Sequence, residues 1–257
     1  GTENGVGLFD LSQIVGKDHI GSITAVKGGT YDKKTGIARY SAAVEKPSYT
    51  YATGSNAVAL TVEFTLDMSK LPKSPFTDVT AGAWYYDAAL YAYNKGLMVG
   101  TSDTAFSPNM PMTRAMLVAV LHRLAGSPSV SGKMPFTDVE ADTWYTKAVL
   151  WAYQNDIVAG TSDTTFEPLS NITREQIVAI FSRYTAKFAP DKAKATAELT
   201  AFADSASVSD WAVNDMKWAV AQKIIGGREN GGRLYLAPQG NASRAEVATI
   251  LMQYCAL

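Results

Sequence analysis

Shifting the chain by 60 positions lays residues 76–126 on 136–186 without a gap, with 23 identities in 51 positions. A repeat of that length constrains the fold more than any local propensity. Each copy must build the same small unit, and a unit too small to bury its own apolar face must bury it against its neighbours. The shared landmarks are Phe76-Thr77-Asp78-Val79 with Phe136-Thr137-Asp138-Val139, Trp84-Tyr85 with Trp144-Tyr145, and Gly100-Thr101-Ser102-Asp103-Thr104 with Gly160-Thr161-Ser162-Asp163-Thr164. Phe106-x-Pro108 then matches Phe166-x-Pro168, and Thr113-Arg114 matches Thr173-Arg174.

A more divergent third copy opens at Phe202-Ala203-Asp204 and keeps Trp211, with Gly226 placed from its Phe as Gly100 and Gly160 are from theirs. Its loop, Gly227 to Arg233, is four residues longer, after which Pro238 and Ser243-Arg244 return at the earlier spacing. The copies therefore span 76–126, 136–188 and 202–257. A Lys- and Ala-rich connection near 189–199 separates the last two.

Each copy reads as helix, loop, helix. In copy one Tyr85, Ala88, Ala89, Ala92 and Tyr93 recur at the spacing of one buried helix face, and Gly96 suits a helix end. Gly, Asp, Ser and Pro make the next stretch a turn-rich loop. Thr113, Thr173 and Ser243 are good N-caps for the second helix. Gln176 and Glu246 complete capping boxes where copy one has Met116. Leu117, Val118, Val120, Leu121 and Leu124 form a broad apolar face, mirrored by Val247, Ile250, Leu251 and Tyr254.

Residues 1–70 differ in kind. Val58, Leu60, Val62, Phe64 and Leu66 alternate with smaller or polar residues as in a half-buried strand. Ser22–Val26 and Ile37–Val44 read as two more strands, joined through Gly28-Gly29 and Lys33–Gly36. This β-rich module is short for a complete sandwich and suits the end of a larger domain. Leu71-Pro72-Lys73-Ser74-Pro75 marks the boundary. The expected class is α+β, a small β module followed by all-α repeats.

Composition narrows the function. Lys and Arg total 23 against 24 Asp and Glu, so there is no basic excess for nucleic acid. No apolar run reaches the roughly 20 residues of a membrane span, and the N-terminus lacks the pattern of a secretion signal. One cysteine, Cys255, and two histidines, His19 and His122, rule out zinc clusters and iron–sulfur sites. No metal or other cofactor is expected. Asn171-Ile172-Thr173 and Asn241-Ala242-Ser243 match the glycosylation tripeptide, but helix capping accounts for them first.

Arg114, Arg174 and Arg244 directly follow the N-caps, where a cation opposes the helix dipole by a few tenths of a kcal/mol. Beside free first-turn amides, such an Arg makes a receptor for a carboxylate or phosphate. The alternative is internal: each Arg pairs with Asp78, Asp138 or Asp204 and holds the array together. Trp84, Trp144 and Trp211 read either as first-turn core or as platforms for a sugar ring. Phe76, Phe136 and Phe202 read as core. Asp103 and Asp163 suit local turn hydrogen bonds better than calcium.

The order Phe-x-Asp-Val, Trp, Gly-x-x-Asp-x-x-Phe-x-Pro and Thr-Arg resembles the S-layer homology (SLH) domain, in three tandem copies. The resemblance implies a pseudo-threefold trimer of helix-loop-helix repeats with binding grooves between neighbouring copies. It implies a non-catalytic module, at the C-terminal end of a secreted protein with further domains upstream. Such a module anchors its protein to the wall of Gram-positive-type bacteria through a pyruvylated secondary cell wall polysaccharide. On that resemblance Arg114, Arg174 and Arg244 hold the ketal carboxylate, and Asp78, Asp138 and Asp204 bond sugar hydroxyl or amide groups. Trp84, Trp144 and Trp211 wall the grooves, while Gly100, Gly160 and Gly226 admit the backbone closely. Arg174→Ala is then expected to weaken retention on wall sacculi. Copy three departs most from the family's pattern, so its site is the one expected to be altered. The competing readings are a self-assembly module with internal Arg–Asp pairs, and a glycan hydrolase, which needs a carboxyl pair across the scissile bond.

Overall fold

The computed structural model describes residues 2–3, 6–27, 29–34, 36–41, 48–52, 59–63 and 74–257. It is a mixed α+β chain in two compact units, one of Gly1–Tyr91 with Gly100–Phe106 and one of Ala92–Val99 with Ser107–Leu257.

In the first unit, β1 (Thr2–Glu3), β2 (Val6–Asp10), β4 (Gly29–Asp32) and β5 (Ile37–Ser41) form an antiparallel sheet in the order β1-β2-β5-β4. A second antiparallel sheet has the order β3 (Ile23–Lys27), β6 (Ser48–Tyr51), β7 (Leu60–Glu63). Leu11, Ile23, Ala38, Tyr40 and Tyr49 make the core, with Leu11 just before the single-turn helix α1 (Ser12–Val15). Lys33–Gly36 does turn the chain, between β4 and β5, with Gly36 at φ +74° and its N–H donating to Asp32 O.

The strand expectations hold only in part. Strand 22–26 does not join 37–44; it pairs with β6 in the other sheet. In Ser48–Tyr51 the buried residues are Ser48 and Tyr49, which hides the strand from a count of aliphatic residues. In β7 Val62 packs on the core while Leu60 is 60% exposed, so the expected apolar face does not form there. Residues 42–44, 57–58 and 64–66 of the expected strands, and the 71–73 part of the boundary, lie outside the described residues.

The repeats build six longer helices: α2 (Tyr86–Asn94), α3 (Arg114–Leu124), α4 (Thr146–Gln154), α5 (Arg174–Phe188), α6 (Val213–Ala221) and α7 (Arg244–Cys255). Thr113, Thr173 and Ser243 cap the second helix of each copy, with reciprocal boxes at Gln176 and Glu246 and none at Met116. Leu117, Val118, Leu121, Val247, Ile250 and Leu251 are buried, each contributing about 1.5–3 kcal/mol relative to exposure. Tyr93, expected on the buried face of α2, is instead exposed.

The first helices end on a left-handed residue: Gly96 at φ +67°, Asp156 at +60° and Lys223 at +58°. Only glycine takes that conformation without strain. Lys223→Gly should therefore stabilise the second unit by about 0.5–1 kcal/mol, net of glycine's greater unfolded entropy, and thermal melting would show a rise of a few degrees. No rise would mean that the Lys223 stem packs more strongly than its exposure suggests.

Backbone hydrogen bonds between the copies close a ring. Met112 N–H donates to Ala242 O, Ala242 N–H to Ile172 O, and Ile172 N–H back to Met112 O. Isolated bridges Thr113↔Asn171, Thr173↔Asn241 and Pro111↔Ser243 accompany them. The segment before each second helix is therefore fixed by a different copy, and this sets where each Arg points. In copy three the four extra loop residues become a hairpin, β8 (Arg228–Asn230) and β9 (Arg233–Tyr235), turned by Gly231 and Gly232 at φ +59° and +75°.

Candidate functional site

The first-turn amides of the second helices are not bare. Arg114 and Ala115 donate to Ser170 O and Pro168 O; Arg174 and Glu175 donate to Gly240 O and Pro238 O; Arg244 and Ala245 donate to Met110 O and Pro108 O. The next amide in each helix goes to the cap hydroxyl. The expectation of open amide donors beside each Arg is thus corrected. Turn carbonyls of the adjoining copy take those donors, an arrangement that depends on the ring and not on local sequence.

Arg114, Arg174 and Arg244 are 7%, 4% and 6% exposed. Arg114 Nε donates to Phe166 O at 2.7 Å, and its guanidinium carbon lies 4.6 Å from the centre of the Phe166 ring. Arg174 Nε donates to Leu236 O at 2.7 Å, and Arg244 Nη2 to Val99 O. Copy one thus reaches into copy two, two into three, and three into one.

Asp138 and Asp204 hold the turns that receive these side chains. Asp138 accepts from Phe166 N–H and Glu167 N–H at 2.9 and 2.7 Å; Asp204 accepts from Leu236 and Ala237 at 2.8 and 2.7 Å. Asp78 accepts from Phe106 N–H at 2.8 Å. Ser107, Glu167 and Ala237, each just before a Pro, sit at φ +55°, +56° and +48°. Such strain costs on the order of 1–3 kcal/mol and persists where surrounding contacts over-determine it. At Glu167 and Ala237 the carboxylate clamp supplies those contacts.

Gly100 and Gly160 are tight against their own loops: a Cβ would run into Ser102 O or Ser162 O and lie within 2.6 or 2.8 Å of Phe76 or Phe136. In copy three a Cβ on Gly226 meets nothing, whereas one on Gly227 lies 2.8 Å from Phe202. The close-approach position is therefore Gly227, one residue beyond the expected Gly226, because the hairpin shifts the chain. Trp84, Trp144 and Trp211 are 66%, 57% and 54% exposed, which decides against a core role. Trp84 and Trp144 stand edge-on to Tyr85 and Tyr145. Each Trp precedes its α-helix and so falls outside the buried face.

The surroundings of Arg114 and Arg174 differ in charge. Arg114 opens into a groove of about 410 Å³ lined by Val158–Thr161, Gln176, Arg183 and Trp211, among others. Among the described residues it has no ion pair. Burial pushes its pKa down, opposed by the negative charges of Glu167 and Asp138. Arg174 instead bonds a carboxylate of its own chain, Glu246 Oε1 at 3.1 Å. Arg228, from the copy-three hairpin, holds the same carboxylate at 2.7–2.9 Å. Of the internal pairing weighed from sequence, Arg174 makes such a pair, but with Glu246 and not an Asp. Glu246 is the capping-box residue, and the equivalent position facing Arg114 is the neutral Gln176. Sequence reasoning also passed over Arg183, although Arg123 sits at the same place in copy one.

The S-layer homology domain family matches residues 75–115, 135–178 and 201–248. The chain belongs to this family. The chain is 33% identical over 168 residues to an amylopullulanase of Thermoanaerobacterium thermosulfurigenes, covering 65% of the chain and 9% of that relative. It is 31% identical over 183 residues to an endoglucanase of Bacillus sp. strain KSM-635, covering 71% of the chain and 19% of the relative. With the surface-layer 125 kDa protein of Lysinibacillus sphaericus it shares 30% identity over 157 residues, 60% of the chain and 13% of the relative. The chain thus spans under a fifth of each of these relatives. Among the described residues no helix of the S-layer homology repeats is long and apolar enough to cross a membrane.

Proposed function

We propose that the chain anchors its protein to a bacterial cell wall by binding an anionic, pyruvylated secondary wall polysaccharide, with Arg114 seating the carboxylate. The supporting observation is a guanidinium 7% exposed, without an ion pair among the described residues, at an open groove that an exposed Trp211 also lines. Burying a cation away from water is costly unless it is compensated. At Arg114 the carbonyls of Phe166 and Ala159 and the Phe166 ring compensate in part. An incoming carboxylate completes the compensation through a charge-assisted hydrogen bond.

Trp211 offers an apolar face for a pyranose, and Trp84 and Trp144 do the same for their own copies. Asp78, Asp138 and Asp204 act chiefly by shaping the turns, and in this reading Asp138 and Asp204 also bond sugar hydroxyl groups. Gly100 and Gly160 serve the same loops by closeness. The cyclic hydrogen bonds support a pseudo-threefold trimer as the frame. The three Asp carboxylates accept from backbone amides, which favours binding over hydrolysis. The location that follows is the surface of a Gram-positive-type bacterium, with the rest of the protein supplying any activity.

A pull-down on purified wall sacculi, before and after mild acid removal of ketal-linked pyruvate, tests this. Retention should fall sharply after the treatment. Equal retention on both materials overturns the proposal.

A further inference from the structure

Trp211 lines the Arg114 groove, yet it lacks the supports that its counterparts have. Trp84 and Trp144 stand edge-on to the tyrosine that follows each of them, with ring centres 5.3 and 5.0 Å apart. After Trp211 comes Ala212, and among the described residues no aromatic ring packs against the Trp211 indole. Copy two also braces its tryptophan turn through Thr146, whose hydroxyl donates to Glu140 O at 2.7 Å and accepts from Thr143 N–H at 3.0 Å. Val213 takes that place in copy three and has no hydroxyl.

Support comes from copy two instead. Glu175, the second residue of α5, is 3% exposed and carries its carboxylate to Ser209, two residues ahead of Trp211. Glu175 Oε2 accepts from Ser209 N–H at 3.1 Å, while Oε1 accepts from the Ser209 hydroxyl at 3.0 Å and from Gln239 Nε2–H at 2.8 Å. Gln239 Nε2 also donates to Ser209 Oγ at 3.1 Å, closing a triangle of three side chains. Ser209 is the N-cap of the single turn Asp210–Ala212 that bears Trp211, yet its hydroxyl makes no capping bond and goes to Glu175. Copies one and three place Ala115 and Ala245 where copy two has Glu175.

A carboxylate is costly to hold away from water, and among the described residues Glu175 has no cation to offset it. Neutral donors and the positive end of α5 do so. Helix capping does not account for it, because Thr173 and Gln176 already form that box. What the carboxylate fixes is the backbone and hydroxyl of Ser209. We infer that Glu175 is a positioning residue for the candidate site: from copy two it sets the turn of copy three that keeps Trp211 at the groove wall. It acts through Trp211 and touches no sugar itself. This rests on the reading that Arg114 and Trp211 receive the glycan together.

The test reads Trp211 first without a sugar and then with one. In the isotope-labelled whole chain, the indole N–H resonance of Trp211 is assigned by its disappearance in Trp211→Phe. It should shift and broaden in Glu175→Ala, while those of Trp84 and Trp144 stay in place. Glu175→Gln keeps an acceptor for Ser209 N–H and an amide for Ser209 Oγ, so it should restore the resonance. Titration with a pyruvate-ketal N-acetylhexosamine should show about 5-fold weaker binding in Glu175→Ala, the size of a modest coupling between linked residues. Glu175→Gln should bind nearly as the unmodified protein does. In a Trp211→Ala background, Glu175→Ala should weaken binding little further. An unmoved Trp211 resonance in folded Glu175→Ala, or a loss of the same size without Trp211, overturns the positioning role. Ser209→Ala removes one hydroxyl and should move the same resonance; if Glu175→Ala does not fold, an unmoved resonance in Ser209→Ala overturns the role instead. A sugar that fails to bind the unmodified protein overturns the Arg114 reading, while the Trp211 resonance still decides what Glu175 holds.

Discussion

Arg114→Ala is expected to lower affinity for pyruvylated wall glycan at least 30-fold. That follows from the roughly 2–5 kcal/mol lost when one member of a buried, hydrogen-bonded charge pair is truncated. The size of the effect comes from burial: at 7% exposure the guanidinium acts in a medium where water screens little. Arg114→Lys keeps the charge but loses the fork that bonds Phe166 O while presenting further N–H donors, so it should recover only part of the binding. Arg174→Ala, which the resemblance alone would have weaken retention, is instead expected to leave binding within about twofold, because the Glu246 carboxylate already fills that guanidinium. Circular dichroism on each variant separates lost binding from lost structure. Equal losses for Arg114→Ala and Arg174→Ala in folded protein would refute this division of roles.

Glu246→Ala should be the most destabilising single change among the residues of the candidate site. Glu246 completes the α7 capping box through Ser243 N–H at 2.9 Å. It also compensates Arg174, which is 4% exposed, and fixes Arg228. Loss of a cap costs about 1 kcal/mol, and stranding a buried charge about 3–5 kcal/mol. The two share one side chain, so they will not simply add. A midpoint drop of roughly 6–20 °C is expected, at about 2–4 °C per kcal/mol for a domain of this size. Glu246→Gln keeps an acceptor for the cap and should lose less than Glu246→Ala. Equal, small losses in both variants would show that Arg174 finds water or another acceptor.

Much of the helical architecture was legible because it rests on local rules. Thr113, Thr173 and Ser243 announce helix starts through their own hydroxyls, and the apolar spacing of α3 and α7 names the buried face. What tertiary structure decides was not legible. Spacing cannot show that Pro168, Pro238 and Pro108 carbonyls from another copy consume the first-turn amides. Nor can it show that Asp138 turns back to amides 28 and 29 residues away, although the recurring Phe-x-Asp to Phe-x-Pro distance was a visible clue. The Trp side chains lie just ahead of their helices, where helical periodicity does not apply and cannot assign them to a buried or an open face. Glu246 read as a cap alone because its partners Arg174 and Arg228 come from elsewhere in the chain. In the β module, strands built on tyrosine and serine defeated a count of aliphatic alternation.

The most direct measurement follows the Nε–H resonances of the site arginines while a pyruvylated wall fragment is titrated into isotope-labelled protein. Arg114 should shift in proportion to occupancy, Arg174 should hold its position, and a fragment stripped of pyruvate should move neither. A fragment that binds while Arg114 stays still, or that moves Arg174 alone, would contradict the assignment of the carboxylate seat.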